Sequence, residues 1–186
     1  MNFRLHQQNV EVVGAEFSKM AIVEFFNESN IKYEVKEIDK HSSIYEGINC
    51  ESKITFYQGD FFAMPDNDQF KHFDVVWDRA AMVAINPGDR GKYAEKITSI
   101  LSEKGTLLLS AMVREEGRDG PPHTLTECQI SAVYKPLGFK LSHLEMFEDL
   151  SSVSRLGKLE VHTFQINRCS LLTGKLLQKS YLGKQP

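Results

Sequence analysis

The sequence predicts an α/β fold: one mostly parallel sheet with helices on both faces and an antiparallel pair of strands at its C-terminal edge. Two observations carry this. Up to Leu137, short β-branched or apolar runs alternate with segments of helical periodicity. Beyond Gly138, two alternating runs follow with no helix between them, so they pair antiparallel.

Val10 to Gly14 is a β-branched run closed by a glycine, the pattern of a buried strand ending in a turn. Glu16 follows at once. Ser18 caps a helix whose apolar residues Met20, Ile22, Val23, Phe25 and Phe26 share one broad face, and Asn27 to Asn30 end it. From Ile31 to Ser52 the chain is polar and mixed, a surface excursion with a weak strand over Tyr33 to Ile38. Ile54 to Tyr57 resumes the sheet and Gly59-Asp60 breaks it. Asp66-Asn67-Asp68 forms a loop before Phe73 to Trp77, read as another buried strand with Asp78-Arg79 at its carboxyl end. Pro87-Gly88-Asp89 opens a helix with Tyr93, Ile97, Ile100 and Leu101 at helical spacing until Gly105 stops it. Thr106 to Leu109 is the next strand. A charged loop from Val113 to His123 ends in the stiff Gly120-Pro121-Pro122, a segment of the kind that shapes a pocket wall. Thr126 caps a helix that runs to Leu137 and is closed by Gly138. Phe139, Leu141, Leu144 and Met146, then Leu159, Val161, Phe164 and Ile166, mark the two final strands, joined through Ser151 to Lys158. The domain therefore occupies residues 1–168, and a Lys-rich tail, assigned no function, occupies 169–186.

The bulk numbers narrow the partners. With 186 residues, 41% hydrophobic and 25% charged, the chain has the composition of one soluble globular domain. A net charge of -3 gives no long-range attraction to nucleic acid or anionic lipid, which leaves a small molecule as the expected partner and a monomer as the default. Cys50, Cys128 and Cys169 are far apart, odd in number and without zinc spacing, which reads as reduced thiols in a cytoplasmic protein. No run approaches the ~20 apolar residues of a membrane span, and the opening residues lack the apolar stretch of a signal peptide.

In doubly wound sheets, ligands sit at the carboxyl ends of the strands. Three candidate groups fall there. Glu16, after the first strand, offers a carboxylate to the hydroxyls of a ribose, with a solvated turn acid as the alternative. Asp60 and Phe61, after the second, offer an acceptor for an amino group and a ring to stack on a base, with an Asp cap beside a core Phe as the alternative. Asp78 and Arg79 follow the third. Arg79 can hold a carboxylate through two hydrogen bonds, or the pair can be a structural ion pair. Of the six histidines none has metal-ligand spacing, and only His123, beside Pro121-Pro122, is placed near a pocket.

The uninterrupted stretch from Trp77 to Arg90, Trp-Asp-Arg-Ala-Ala-Met-Val-Ala-Ile-Asn-Pro-Gly-Asp-Arg, resembles the signature of the thiopurine S-methyltransferases. Val12-Val13-Gly14-Ala15-Glu16 with Ser18, Glu24-Phe25-Phe26, Gly59-Asp60-Phe61-Phe62 and Gly120-Pro121-Pro122 are similar to that family in the same order, so the resemblance runs from about Val10 to about Ile166. It implies a Rossmann-like methyltransferase sheet and methyl transfer from S-adenosylmethionine to the sulfur of an aromatic or heterocyclic thiol. It further implies that Glu16 binds the cofactor's ribose, Asp60 and Phe61 its adenine, and Arg79 the cofactor side of the cleft, while Pro121 and Pro122 border the acceptor. For an arginine that the family carries near the final hairpin, Arg155 is the nearest candidate, with Leu150 as the alternative occupant of that position.

Two departures from the family pattern bear on activity. Before the region matching Val10, the resemblance leads one to expect an N-terminal helical segment, a central first strand and the glycine-containing turn that receives the methionine part of the cofactor; no counterpart is read in this sequence. At Val113-Arg114, where the family often has an aromatic-acidic pair, this chain differs, which opens the acceptor preference. The readings that follow are a thiol methyltransferase represented in shortened form, a non-catalytic shortened isoform acting as a binding or regulatory protein, and a methyltransferase for selenium or tellurium compounds.

Overall fold

The computed structural model describes residues 10–50, 52–114, 120–148 and 159–169. The chain enters through β1 (Val12–Glu16) and turns at Ser18, whose hydroxyl accepts the Ala21 N–H at 3.3 Å and starts α1 (Lys19–Glu28). Ile22 and Phe26 of α1 are buried while Met20 faces solvent, so the helical face that packs is narrower than its apolar composition suggests.

The segment read as a surface excursion is a hairpin of β2 (Lys32–Asp39) and β3 (Ser42–Ile48), paired antiparallel. It is hard to see in the sequence for a physical reason. β2 is exposed almost throughout, and the two buried apolar residues of β3, Ile44 and Tyr45, are adjacent and so point to opposite faces. Neither strand shows one-sided alternation. β4 (Ile54–Gln58) pairs antiparallel with β3 and parallel with β1, giving the order β1-β4-β3-β2.

The second half opens with β5 (Phe73–Arg79), followed by the short α2 (Ala81–Ala84) and by α3 (Arg90–Ile100). β6 (Leu101–Arg114) begins where α3 ends. Gly105 therefore does not stop the helix. It lets β6 pass close to β5: a Cβ there would lie 2.6 Å from the Phe73 carbonyl oxygen. α4 (Glu127–Tyr134) starts with a reciprocal cap, in which Thr126 Oγ1 accepts the Gln129 N–H and Gln129 Oε1 accepts the Thr126 N–H. β7 (Phe139–Glu148) and β8 (Leu159–Arg168) are the expected antiparallel pair, and the order of this half is β5-β6-β8-β7, with β5 and β6 parallel. The junction between β7 and β8 and the Lys-rich tail beyond Cys169 lie outside the described residues.

One apolar core joins the halves. Ile44 and Tyr57 from the first sheet, Leu107, Leu109, Phe164 and Ile166 from the second, and Tyr93, Ile97, Ile130 and Tyr134 from α3 and α4 are buried in one cluster. On its other face the first sheet packs Tyr45, Ile54 and Phe56 under α1. The corresponding face of β5 is open, with Val75 58% and Trp77 59% exposed, so the strand read as buried is covered on one side only among the described residues.

β1 and β5 each end a sheet, and no pairing joins them among the described residues. The Val12 N–H donates to the Lys53 carbonyl at 2.9 Å and the Glu16 carbonyl accepts the Gly59 N–H at 3.1 Å, both toward β4. Strand alternation therefore turns the backbone groups of Val13 and Ala15 away from β4. The position between β1 and β5 is the one at which the sequence reading expects a further strand.

Gly14 sits opposite Phe56 in the β1–β4 register, and a Cβ on it would lie 2.5 Å from Phe56 Cε1. Gly14→Ala should lower the unfolding free energy by about 1–3 kcal/mol in urea titration, with part of the loss recovered by Phe56→Leu. An unchanged midpoint in Gly14→Ala would show that the ring yields without cost.

Candidate cofactor and acceptor site

Glu16 is the last residue of β1 and half-buried, and its Oε1 accepts the Ser18 N–H at 2.7 Å. This bond fixes the side chain across the turn and leaves Oε2 without a partner among the described residues. Asp60 follows β4 and is exposed. Its Oδ1 accepts the Phe62 N–H at 3.0 Å, capping a 3-10 turn over Phe61–Ala63, so one carboxylate oxygen again has no partner among the described residues. The two come off neighbouring parallel strands, with Glu16 opposite Gln58 in register.

Phe61 lies with its ring centroid 5.5 Å from that of Tyr93 and 6.3 Å from that of Phe62. The Tyr93 hydroxyl donates to Asp78 Oδ2 at 2.9 Å. A chain of contacts, Phe61 to Tyr93 to Asp78, thus ties the carboxyl end of β4 to the carboxyl end of β5.

Asp78 and Arg79 separate at that end. Asp78 is buried and accepts from the N–H groups of Ala81 at 2.9 Å and Met82 at 3.3 Å as well as from Tyr93. These bonds hold a sharp turn in which Ala80 takes a left-handed conformation, φ 73°. Arg79 is exposed and stands opposite Ser110 of β6, so the ion-pair alternative does not hold: consecutive strand residues point to opposite faces. Burial pushes the Asp78 carboxyl above its ordinary range, against the opposing effect of its hydrogen bonds to Tyr93, Met82 and Ala81. Burial, reinforced by the Asp78 charge, likewise raises the Tyr93 and Tyr134 hydroxyls.

Pro121 and Pro122, joined by a cis peptide bond, belong to a loop held from several sides. Arg114 Nη2 donates to the Gly120 carbonyl at 3.1 Å, and the Arg114 N–H to Thr124 Oγ1 at 3.2 Å. Arg90 Nη2 donates to the Thr124 carbonyl at 3.2 Å. The His123 N–H donates to the Val83 carbonyl at 2.6 Å, and the Leu125 N–H to the Met112 carbonyl at 2.8 Å. The loop is thereby fixed against α2, directly beyond Arg79. Arg155 and Leu150 lie outside the described residues.

Beside Asp60 the structure adds a shallow cleft of about 330 Å³ that includes Asp39, His41, Ser42 and Tyr57. It exists because the β2–β3 hairpin folds back on β4. The His41 N–H, 2.7 Å from Asp39 Oδ1, and the Ser42 hydroxyl hold the Asp39 carboxyl below its ordinary range. Asp-Lys-His-Ser between two strands is an Asx-turn signal. The signal is hard to see in the sequence because neither flanking strand shows one-sided alternation.

The fold is that of the S-adenosylmethionine-dependent methyltransferases. One from Methanosarcina mazei superposes with a TM-score of 0.62 at 13% identity, covering 89% of this chain and 85% of that one. The YcgJ protein from Bacillus subtilis gives 0.58 at 13% identity over 86% and 82%. The model of the thiopurine S-methyltransferase family matches residues 3–174, and the chain belongs to that family. A thiopurine S-methyltransferase from Psychrobacter cryohalolentis is 33% identical over 132 residues, 70% of this chain and 60% of its own length. The Mus spretus enzyme is 29% identical over 165 residues, 88% and 67%. A probable thiopurine S-methyltransferase from Danio rerio is 36% identical over 124 residues, 66% and 53%. The chain thus spans roughly half to two thirds of the length of these relatives. The cofactor that family and fold imply is S-adenosylmethionine. The free carboxylate oxygens of Glu16 and Asp60 and the unengaged Arg79 suit a ligand with ribose hydroxyls, an amino group and a carboxylate. Among the described residues, no helix is long and apolar enough to cross a membrane, and no group of three His, Cys, Asp or Glu converges as metal ligands.

The raised Asp78 carboxyl sets a pH dependence. A folded-state pKa above the unfolded one contributes stability that is full below the unfolded value and lost as pH rises through the folded value. Asp78→Asn keeps an acceptor oxygen and removes the titration, so in urea titrations it should lose less stability than the parent protein as pH rises above the ordinary carboxylate range. Equal slopes would contradict a strained buried carboxylate.

Proposed function

We propose that this chain forms the cofactor- and acceptor-binding face of a methyltransferase acting on the sulfur of aromatic or heterocyclic thiols, completed by a further parallel strand between β1 and β5. The observation that supports this reading is the Phe61–Tyr93–Asp78 chain, which links the carboxyl end of β4, beside Asp60, to the carboxyl end of β5, beside Arg79. Glu16 would accept from the ribose hydroxyls, Asp60 from the adenine amino group, and Phe61 would lie along the base. Arg79 would fix the cofactor side of the cleft, and Pro121 and Pro122 would wall the acceptor. Bound S-adenosylmethionine supplies a methyl group on a sulfonium, ready for direct displacement. The protein's part is to align the acceptor sulfur with that group and to exclude water, since an acidic aromatic thiol is largely ionised near neutral pH. The three free cysteines Cys50, Cys128 and Cys169 suit a reducing cytoplasm.

The edges of β1 and β5, unpaired among the described residues, favour a second reading, in which the chain by itself is a non-catalytic binding or regulatory form. Unmet backbone groups at a sheet edge cost stability when buried and invite association when exposed. The 186-residue chain alone should therefore show no saturable S-adenosylmethionine binding at millimolar ligand. Its fusion to the N-terminal segment of a relative should bind. In that fusion, Glu16→Ala should weaken the cofactor by about 1.5–3 kcal/mol, the size of a lost charged acceptor. Calorimetry showing unchanged affinity would remove Glu16 from the site. Arg79→Lys should lower methyl transfer to an aromatic thiol while leaving Tm within a few degrees, because a point charge cannot replace a planar two-pronged donor. A sharp fall in Tm would instead assign Arg79 a structural role. Selenium or tellurium acceptors, tested in parallel in the fusion, would show whether the acceptor class is wider.

A further inference from the structure

The β7 side of the second sheet carries a cluster of side chains that plays no part in the proposed cofactor and acceptor site. His143 of β7 and His162 of β8 are 19 residues apart in the chain, too far for a local spacing pattern to reveal them. The antiparallel register brings them together: His143 stands opposite Phe164, and His162, two residues earlier on β8, shares that face. His143 Nε2 and His162 Nδ1 are 3.2 Å apart. On the other side of its ring, His162 Nε2 lies 3.5 Å from Glu160 Oε2. Phe164, which is buried, backs both rings. The His162 ring stacks on it at an interplanar angle of 15°, and the His143 centroid is 5.1 Å from its own. Carboxylate, imidazole and imidazole thus stand in a row rather than converging on one point.

We propose that His143 and His162 chelate a divalent first-row transition-metal ion, with Glu160 orienting His162, and that the bound ion clips β7 to β8. A carboxylate beside Nε2 favours the His162 proton on that nitrogen, which leaves the lone pair of Nδ1 facing His143, the arrangement of a metal-ligating histidine and its supporting carboxylate. Two imidazole nitrogens held at about 2.0–2.1 Å by one tetrahedral ion stand about 3.3 Å apart, close to the separation already present here. His143 is exposed, so its ring is free to turn toward the ion and solvent reaches the remaining coordination positions. Neutral His143 keeps one proton throughout: when Nε2 takes the ion, that proton passes through solvent to Nδ1. Imidazole ligands suit zinc, nickel and copper and not the hard ions magnesium and calcium. The clip has a structural use, because β7 ends the sheet among the described residues and is exposed along most of its length. The site is independent of the methyltransferase reading, since β7 lies at the opposite side of the sheet from β5.

The test is calorimetric titration with zinc chloride, with Tm measured alongside. It is run on the 186-residue chain and on the fusion, so that association of the shorter chain does not decide the result. Cys50, Cys128 and Cys169 take up zinc equally in every variant, so the difference between variants reads the histidine pair. His143→Asn and His162→Asn should each weaken zinc binding by about tenfold or more, and Glu160→Ala, which removes the support and keeps both ligands, by about tenfold. Zinc should raise the Tm of the parent protein and leave that of both histidine variants unchanged, while magnesium chloride raises none of them. His143→Asn decides the matter if His162→Asn folds poorly, because His143 is exposed and its replacement should leave the metal-free Tm within a few degrees. Zinc affinity in His143→Asn equal to that of the parent, or an equal rise in Tm on adding zinc, would overturn the site. Unchanged affinity in Glu160→Ala would overturn the role of Glu160.

Discussion

The fold turns on a shared core beneath two half-sheets that do not pair with each other among the described residues. β1 and β5 each present an edge, yet Ile44 and Tyr57 on one side and Leu107, Leu109 and Phe164 on the other are buried together around Tyr93 and Tyr134. Apolar burial is non-directional, so it can hold the halves side by side without a ladder of hydrogen bonds between them. Backbone pairing is directional, and at Val13 and Ala15 it is unmet among the described residues. The core thus fixes where the halves sit, while the interval between them governs whether the ligand crevice has a floor. In open α/β sheets that crevice lies outside the carboxyl ends of the central strands, which is why the same interval decides both stability and binding.

Asp78 links core to site. It is buried, receives a hydroxyl and two backbone N–H groups, and by doing so bends the chain at Ala80 so that Arg79 faces outward and α2 starts at once. α2 then supplies the Val83 carbonyl that anchors His123. One carboxylate therefore sets both the placement of Arg79 and the position of the proline loop, through hydrogen bonds rather than by contact with any ligand. The cost is a charge kept away from water, which the raised carboxyl range records.

Much of this was legible in the sequence. Ser18 and Thr126 announced their helices because a cap is a local hydrogen bond needing only one residue type at one position. The final strand pair was visible from its recurring apolar residues with no helix between them, although Leu144 and Met146 of β7 turn out to be exposed. Three features were not. The β2–β3 hairpin hides because Ile44 and Tyr45 bury on opposite faces. The exposure of Val75 and Trp77 depends on what covers a sheet face, which no property of β5 itself reveals. The division of Asp78 from Arg79 follows from strand alternation together with Tyr93, a partner 15 residues away. Glu16, Asp60 and Phe61 were placed at strand ends from sequence and stand there in the structure; the ligand roles given to them are proposals resting on that placement and on family membership.

Amide hydrogen exchange followed by peptide mass spectrometry tests the central claim most directly, because exchange reports whether strand amides have partners. In the 186-residue chain, peptides covering β1 and β5 should exchange far faster than those covering β6 and β8, and in the fusion carrying an added N-terminal strand they should slow toward the interior strands. Protection of β1 and β5 equal to that of β6 and β8 in the chain alone would contradict the account, since it would mean that the interval between the half-sheets is already closed.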